Sequence, residues 1–147
     1  MKIPLYQVDA FTSEIFCGNP AAVCPLEFWL DDKILQSIAA ENNLSETAFI
    51  VNRGEFFQLR WFTPRAEIDL CGHATLAAAF VIMNYLNKSQ KEVVFGTPSG
   101  ELTVKREENL YFMDFPSHLP EICEPPENLL RAVDIIPEKI YASNYYM

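Results

Sequence analysis

Several residue types are scarce in this chain, and each scarcity removes a class of function. There are two histidines, His73 and His118, far apart in sequence, so no close His-His spacing offers a metal its ligands. The five glycines build neither a GxGxxG turn nor a phosphate-binding loop. The four cysteines, Cys17, Cys24, Cys71 and Cys123, contain no CxxC pair, which leaves free thiols as the expectation. Basic residues number 11 against 20 acidic ones, a net charge of −9. That field repels a nucleic-acid duplex and an anionic membrane surface alike. No apolar run approaches the ~20 residues that span a bilayer. The opening MKIPLYQVD lacks the apolar core of a secretory signal. Read together, these absences predict a cytoplasmic protein with no nucleic-acid partner, no membrane partner and no metal.

What is abundant points to a packed domain. Half of the 147 residues are apolar, and eleven are Phe. Disorder requires low hydrophobicity, so this composition excludes it. A single domain of this length buries roughly 70% of its unfolded surface and needs no disulfide or metal to hold it.

Periodicity gives a coarse map. Residues 4–11 alternate, with Tyr6, Val8 and Ala10 on the apolar side of a strand. Gly18-Asn19-Pro20 marks a turn, and Ala21 to Cys24 is a short apolar run. Asp31-Asp32 can cap a helix whose stripe is Ile34, Leu35, Ile38 and Ala39. Strands are predicted over 47–51 and 55–62. From His73 to Leu86 the chain carries no charge and is apolar on every side, so this helix should be buried all round. Further strands are expected at 93–95, 102–104, 110–113 and 140–142. A Pro-rich loop over 116–126 and a short helix opening at Pro126 complete the map. Five to seven strands around one buried helix make an α+β protein, and a doubly wound parallel sheet fits poorly because helices do not alternate with strands.

Few residues suit chemistry. Cys71-Gly72-His73-Ala74-Thr75 opens the buried helix, where unpaired N–H groups and a partial positive charge suit a carboxylate or phosphate. The plainer reading is that Cys71 and His73 merely start a core helix. A Cys71–His73 dyad looks poor, because positions i and i+2 of a helix face apart. Glu46 lies in a polar turn at the mouth of a predicted strand, where partial desolvation gives a carboxylate the character a general acid/base needs. On the residues alone, a solvated turn capped by Ser45 or Thr47 explains that segment more simply. Asn19 could present its amide to a ligand, and Arg60 suits either an anion or the solvent face of a strand.

Four segments, DAFTSEIFCGNPAAVC, IAAENNLSETAFIV, RWFTPRAEIDLCGHATLAAA and TPSGELTV, occur in this order along the chain. Together they resemble the N-terminal half of the phenazine-biosynthesis-like (PhzF-like) isomerase family. The resemblance implies one lobe of a diaminopimelate-epimerase-like fold, a curved sheet or barrel around a buried central helix, with the active site between two lobes. It implies Glu46 as the proton-shuttling acid/base. It also implies His73 in the cleft, the backbone of Gly72, His73 and Ala74 on the carboxylate of a small substrate, and no metal or organic cofactor. Residues 1–147 then form the first lobe. The second lobe is absent, and whether a returning C-terminal strand is also missing stays open. Such a lobe is expected to be inactive alone and to dimerise or self-associate through its exposed surface. Two alternatives remain. One is a racemase or epimerase with Cys71 as a second base, the position where the epimerases carry a cysteine. The other is a non-catalytic protein-interaction module.

Overall fold

The structure is a computed structural model that describes residues 2–115, 119–133 and 137–143. It divides into two compact units, before and after Asp114.

The first unit is a curved sheet with one helix inside and one outside. Its strands are β1 (Tyr6–Ala10), β2 (Asn19–Leu26), β3 (Glu46–Asn52), β4 (Phe57–Phe62), β5 (Glu67–Ile68), β6 (Glu92–Thr97), β7 (Gly100–Glu107) and β8 (Leu110–Met113). The spatial order is β1-β2-β3-β4-β6-β7-β8, with β5 on the flank of β4. Helix α2 (Gly72–Val81) touches β1, β2 and β3 at one end of that order and β8 at the other. Contact with both ends means that the sheet curls around it. The α+β architecture around a buried central helix is therefore as the sequence implies.

The composition of α2 explains this position. Ala74, Ala77, Ala78 and Ala79 are all buried, and Val81, Ile82 and Met83 continue the run. Small side chains let strands approach the helix closely from several directions. The predicted helix to Leu86 holds, but its final turn, Ile82–Leu86, widens to π geometry, with the Asn87 N–H donating to the Ile82 carbonyl.

Helix α1 (Asp32–Asn42) covers the opposite face of the sheet. The Asp31 side chain caps it by accepting from the Lys33 N–H, and Asn43 ends it in the left-handed region at φ 51°. Leu35 and Ala39 are buried beneath it with Cys24, Phe49 and Phe62. Ile34, expected in the stripe, is instead exposed. The middle strands are thus covered on both faces and alternate between two cores. Ala21, Val23, Ala48, Ile50, Leu59 and Trp61 face α2, while Cys24, Phe49 and Phe62 face α1.

Two local expectations change. Asn19 and Pro20 belong to β2 rather than to a turn, paired with Ala10 and Asp9 of β1. Proline is tolerated there because it sits near the start of the strand. Two strand pairs are parallel, β2 with β3 through α1 and β4 with β6 through α2, so helical crossovers do occur.

The β1–β2 connection is held tightly. Phe11 and Phe16 both adopt positive φ, and Asp9 Oδ2 accepts from the Phe16 N–H at 3.1 Å. A Cβ on Gly18 would meet the Ala10 carbonyl oxygen at 2.5 Å and the Thr12 methyl at 2.6 Å. Glycine is needed there for close approach of backbone. Gly18→Ala is expected to cost about 1–3 kcal/mol, as overpacking does. Urea denaturation measures this, and an unchanged midpoint would show that the loop yields freely.

The second unit holds the pair β9 (Glu121–Ile122) and β10 (Tyr141–Ala142), and α3 (Glu127–Val133). Pro126 precedes α3 and its carbonyl accepts from Leu129 and Leu130, so it caps the helix rather than beginning it. The stretch expected to be loop thus contains β9. His118, the second histidine, and the last residues 144–147 lie outside the described residues. No helix among the described residues is long and apolar enough to cross a membrane.

Candidate active site

Three elements deliver their first residues to one place. Parallel pairing of β2 with β3 sets Ala21 opposite Glu46, so the starts of the two strands lie side by side. Asn19 joins them, its Oδ1 accepting from the Ser45 hydroxyl at 3.5 Å. The start of α2 closes on this edge with His73, whose Nε2 stands 3.1 Å from Glu46 Oε2. Glu46, His73 and Asn19 are therefore gathered at one edge, as the motifs imply.

The first turn of α2 starts without a side-chain cap, and Cys71 in the capping position is extended at φ −148°, ψ 113°. The Thr75 hydroxyl and N–H both turn back to the Cys71 carbonyl. The earlier N–H groups, at Gly72, His73 and Ala74, have no carbonyl partner within the helix, and those of His73 and Ala74 also face the Cys71 sulfur.

The extended Cys71 also corrects one expectation. The helical spacing rule does not apply to a residue outside the helix, and Cys71 Sγ lies 3.3 Å from His73 Nδ1. Cys71 and His73 are neighbours, and Glu46 completes a group of three. One ligand atom from each lies within 4.8 Å of the others. The spacing argument against a metal considered neighbours along the chain, whereas this three-donor set is assembled by the fold.

Burial governs the electrostatics. His73 is 8% exposed, and desolvation lowers its pKa despite Glu46 and the Pro20 carbonyl, which both favour the charged ring. His73 is consequently neutral at pH 7. Desolvation pushes the Cys71 thiol up to about 11, against the opposing pull of the Ala74 and His73 N–H groups. Such a thiol stays protonated at neutral pH and makes a weak base. Glu46 Oε2 and His73 Nε2 face each other across that 3.1 Å, and neither atom has a third partner among the described residues.

The lowered pKa of His73 has a measurable sign. The unfolded chain binds a proton near 6.5 that native His73 accepts only at lower pH. Stability is therefore full above that value and falls as pH drops through it toward the native pKa. His73→Asn is expected to flatten this slope below about pH 7 in urea unfolding. A slope equal to that of the unsubstituted protein would rule out His73 as its source.

Other candidates resolve plainly. Arg60 is neutralised: its Nε and Nη2 each donate to Glu67 at 2.6 Å, its Nη1 donates to Asp32 at 2.9 Å, and its plane lies over Trp29 and Phe62. Hydrogen bonding to Glu67 foremost raises its pKa further. It is a structural clamp between α1 and the sheet. Cavities of about 150 and 400 Å³ lie elsewhere and include none of Glu46, Cys71 or His73. Sequence reasoning missed Phe11, whose ring centroid is 6.4 Å from that of His73. Its exposure, and that of Ile15 and Phe16 on the same loop, reaching 92% at Phe16, gives an apolar rim beside the site.

The family model for phenazine biosynthesis-like proteins (PhzC-PhzF) matches residues 8–130. The chain belongs to this family. It is 52% identical to an uncharacterized isomerase of Pseudomonas aeruginosa, over all of this chain and 57% of that protein. It is 46% identical to the mouse phenazine biosynthesis-like domain-containing protein 2, over 90% of this chain and 49% of that protein. The crystal structure of a PhzF-family phenazine biosynthesis protein from Enterococcus faecalis superposes with a TM-score of 0.87 at 50% identity, covering 96% of this chain and 54% of that one. A predicted epimerase of Pseudomonas aeruginosa shares the fold, with a TM-score of 0.69 at 23% identity over 86% of this chain and 46% of that one. The chain thus spans about half the length of the curated relatives it matches.

Proposed function

We propose that this PhzF-family chain is the first lobe of a cofactor-independent isomerase, in which Glu46 moves a proton between carbons of a small carboxylate-bearing substrate. The observation that carries the reading is the buried pair Glu46 Oε2 and His73 Nε2, 3.1 Å apart and with no third partner, at the start of α2. The substrate carboxylate meets the N–H groups of Gly72, His73 and Ala74, with the Asn19 amide at the edge. Glu46 takes a proton from a carbon conjugated with that carboxylate. Charge then spreads onto the carboxylate oxygens, where fixed N–H dipoles stabilise it without reorganising. The resulting carboxylic acid returns the proton at another carbon, so the bond shift is balanced and needs no redox partner. Neutral His73 orients the substrate by a hydrogen bond.

The Cys71 alternative, a two-base racemase, is disfavoured by a thiol pushed up to about 11. The test is solvent deuterium uptake by a panel of unsaturated cyclic carboxylates, with the protein carrying the second half that its relatives have. Deuterium at a ring carbon together with a shifted double bond supports the reading. Uptake at a stereocentre with no double-bond shift favours the racemase instead.

A further inference from the structure

We propose that Phe11 is a specificity-determining residue of this site, its ring forming the wall against which a flat, unsaturated ring of the substrate lies. This rests on the reading that the substrate carboxylate sits at the start of α2, and it names the body of that substrate. The loop that carries Phe11 leaves β1 at Ala10 and returns at Asn19, and these two residues are paired. It therefore rises from the same edge as Asn19 and Glu46. The Phe11 ring centroid is 6.4 Å from that of His73, at an interplanar angle of 53°.

The backbone shows that this placement is imposed. Phe11 and Phe16 hold φ at 65° and 64°, a region that bulky side chains rarely adopt and that asparagine or glycine enters with less strain. Such strain persists only where the surroundings over-determine it. Here the Asp9 carboxylate accepts from the Phe16 N–H, and the Thr12 hydroxyl accepts from the Glu14 N–H and donates to the Glu14 carbonyl. Gly18 packs so closely on Ala10 and Asp9 that no side chain fits. Core burial is not the return on this strain, because Phe11 is 73% exposed. What the loop secures is the position of an aromatic ring beside His73. Aromatic partners meet offset or edge-on with centroids about 4.5–7 Å apart, a geometry that a flat substrate ring can share and a saturated one cannot. Ile15 and Phe16, exposed on the same loop, extend the wall with apolar surface.

Benzoate and cyclohexanecarboxylate are the probes, equal in charge and similar in size, one flat and one saturated. Titration of the full chain, followed by NMR at the His73 and Ala74 N–H signals, is expected to give tighter binding of benzoate. Phe11→Asn should weaken benzoate by about 2–10-fold, the worth of one aromatic contact, and affect cyclohexanecarboxylate less. Because asparagine tolerates positive φ, the same variant should raise the urea midpoint. Phe11→Tyr should keep the preference. A more stable lobe with poorer discrimination is not what a packing residue produces. The proposal is overturned if the benzoate preference survives in Phe11→Asn, if that variant is destabilised, or if neither probe moves the two signals. The last result also removes the carboxylate from the start of α2, whereas the first two leave it there. Proton transfer by Glu46 is read separately, by deuterium exchange, and stands or falls on its own.

Discussion

Glu46→Gln is expected to reduce proton exchange into a carboxylate substrate by about 10²–10⁴-fold, the usual worth of a positioned acid/base. The amide keeps the size and hydrogen-bonding capacity of the carboxyl group but neither accepts nor delivers a proton at neutral pH. The fold should survive, because the amide can keep the contact with His73 and the backbone of residue 46 remains paired in β3. The measurement is deuterium incorporation by the two-halved protein, followed by NMR, with unfolding curves on the same samples. Stability should match the unsubstituted protein while exchange collapses. A folded variant with undiminished exchange would take Glu46 out of the chemistry and leave no other carboxylate in the assembled group.

The second large effect is on stability. Trp61→Ala is expected to cost about 3–5 kcal/mol, the range for a fully buried large aromatic. Trp61 is completely buried in β4, paired with Ala48 on one side and Ile68 on the other, and belongs to the core around α2. Its loss empties space between sheet and helix that small alanine side chains on α2 cannot refill. Trp61→Phe should cost markedly less. The indole Nε1 has no hydrogen-bond partner among the described residues, so replacing it removes an unpaired donor along with some packing. Urea midpoints for the three proteins decide the matter. A Trp61→Ala loss under about 1 kcal/mol would mean that the core collapses around the gap far more readily than close-packed interiors do.

Much of this was legible in the sequence. The uncharged run after Gly72 identified the central helix, because only a helix enclosed on all sides is apolar on all sides. The Asp31 cap and the Leu35 and Ala39 positions placed α1. Glu46 and His73 stood out through their motifs. What stayed hidden depends on distant pairing. Cys71 was judged by helical spacing although it precedes the helix in extended form, so its contact with His73 was missed. The Glu46–Cys71–His73 group exists only because β3 and the start of α2 are brought together in space. Arg60 looked ambiguous until Glu67 and Asp32 arrived from other elements to neutralise it. The two-residue strands β5 and β9 are too short to carry any alternation, and Asn19-Pro20 read as a turn because proline near a strand start looks the same as proline in a bend.

The parallel pairing of β2 with β3 has a consequence for how the lobe acquires its chemistry. Neighbouring parallel strands cannot form as a hairpin. They wait for α1 to cross the sheet, and such distant pairings close late and slowly. Asn19, Glu46 and His73 are therefore strangers to one another until most of the lobe is in place. A half-formed lobe carries no half-formed site, and a ligand seated on these residues would act as a clasp on the whole curled sheet, raising its resistance to unfolding with the logarithm of ligand concentration above the dissociation constant.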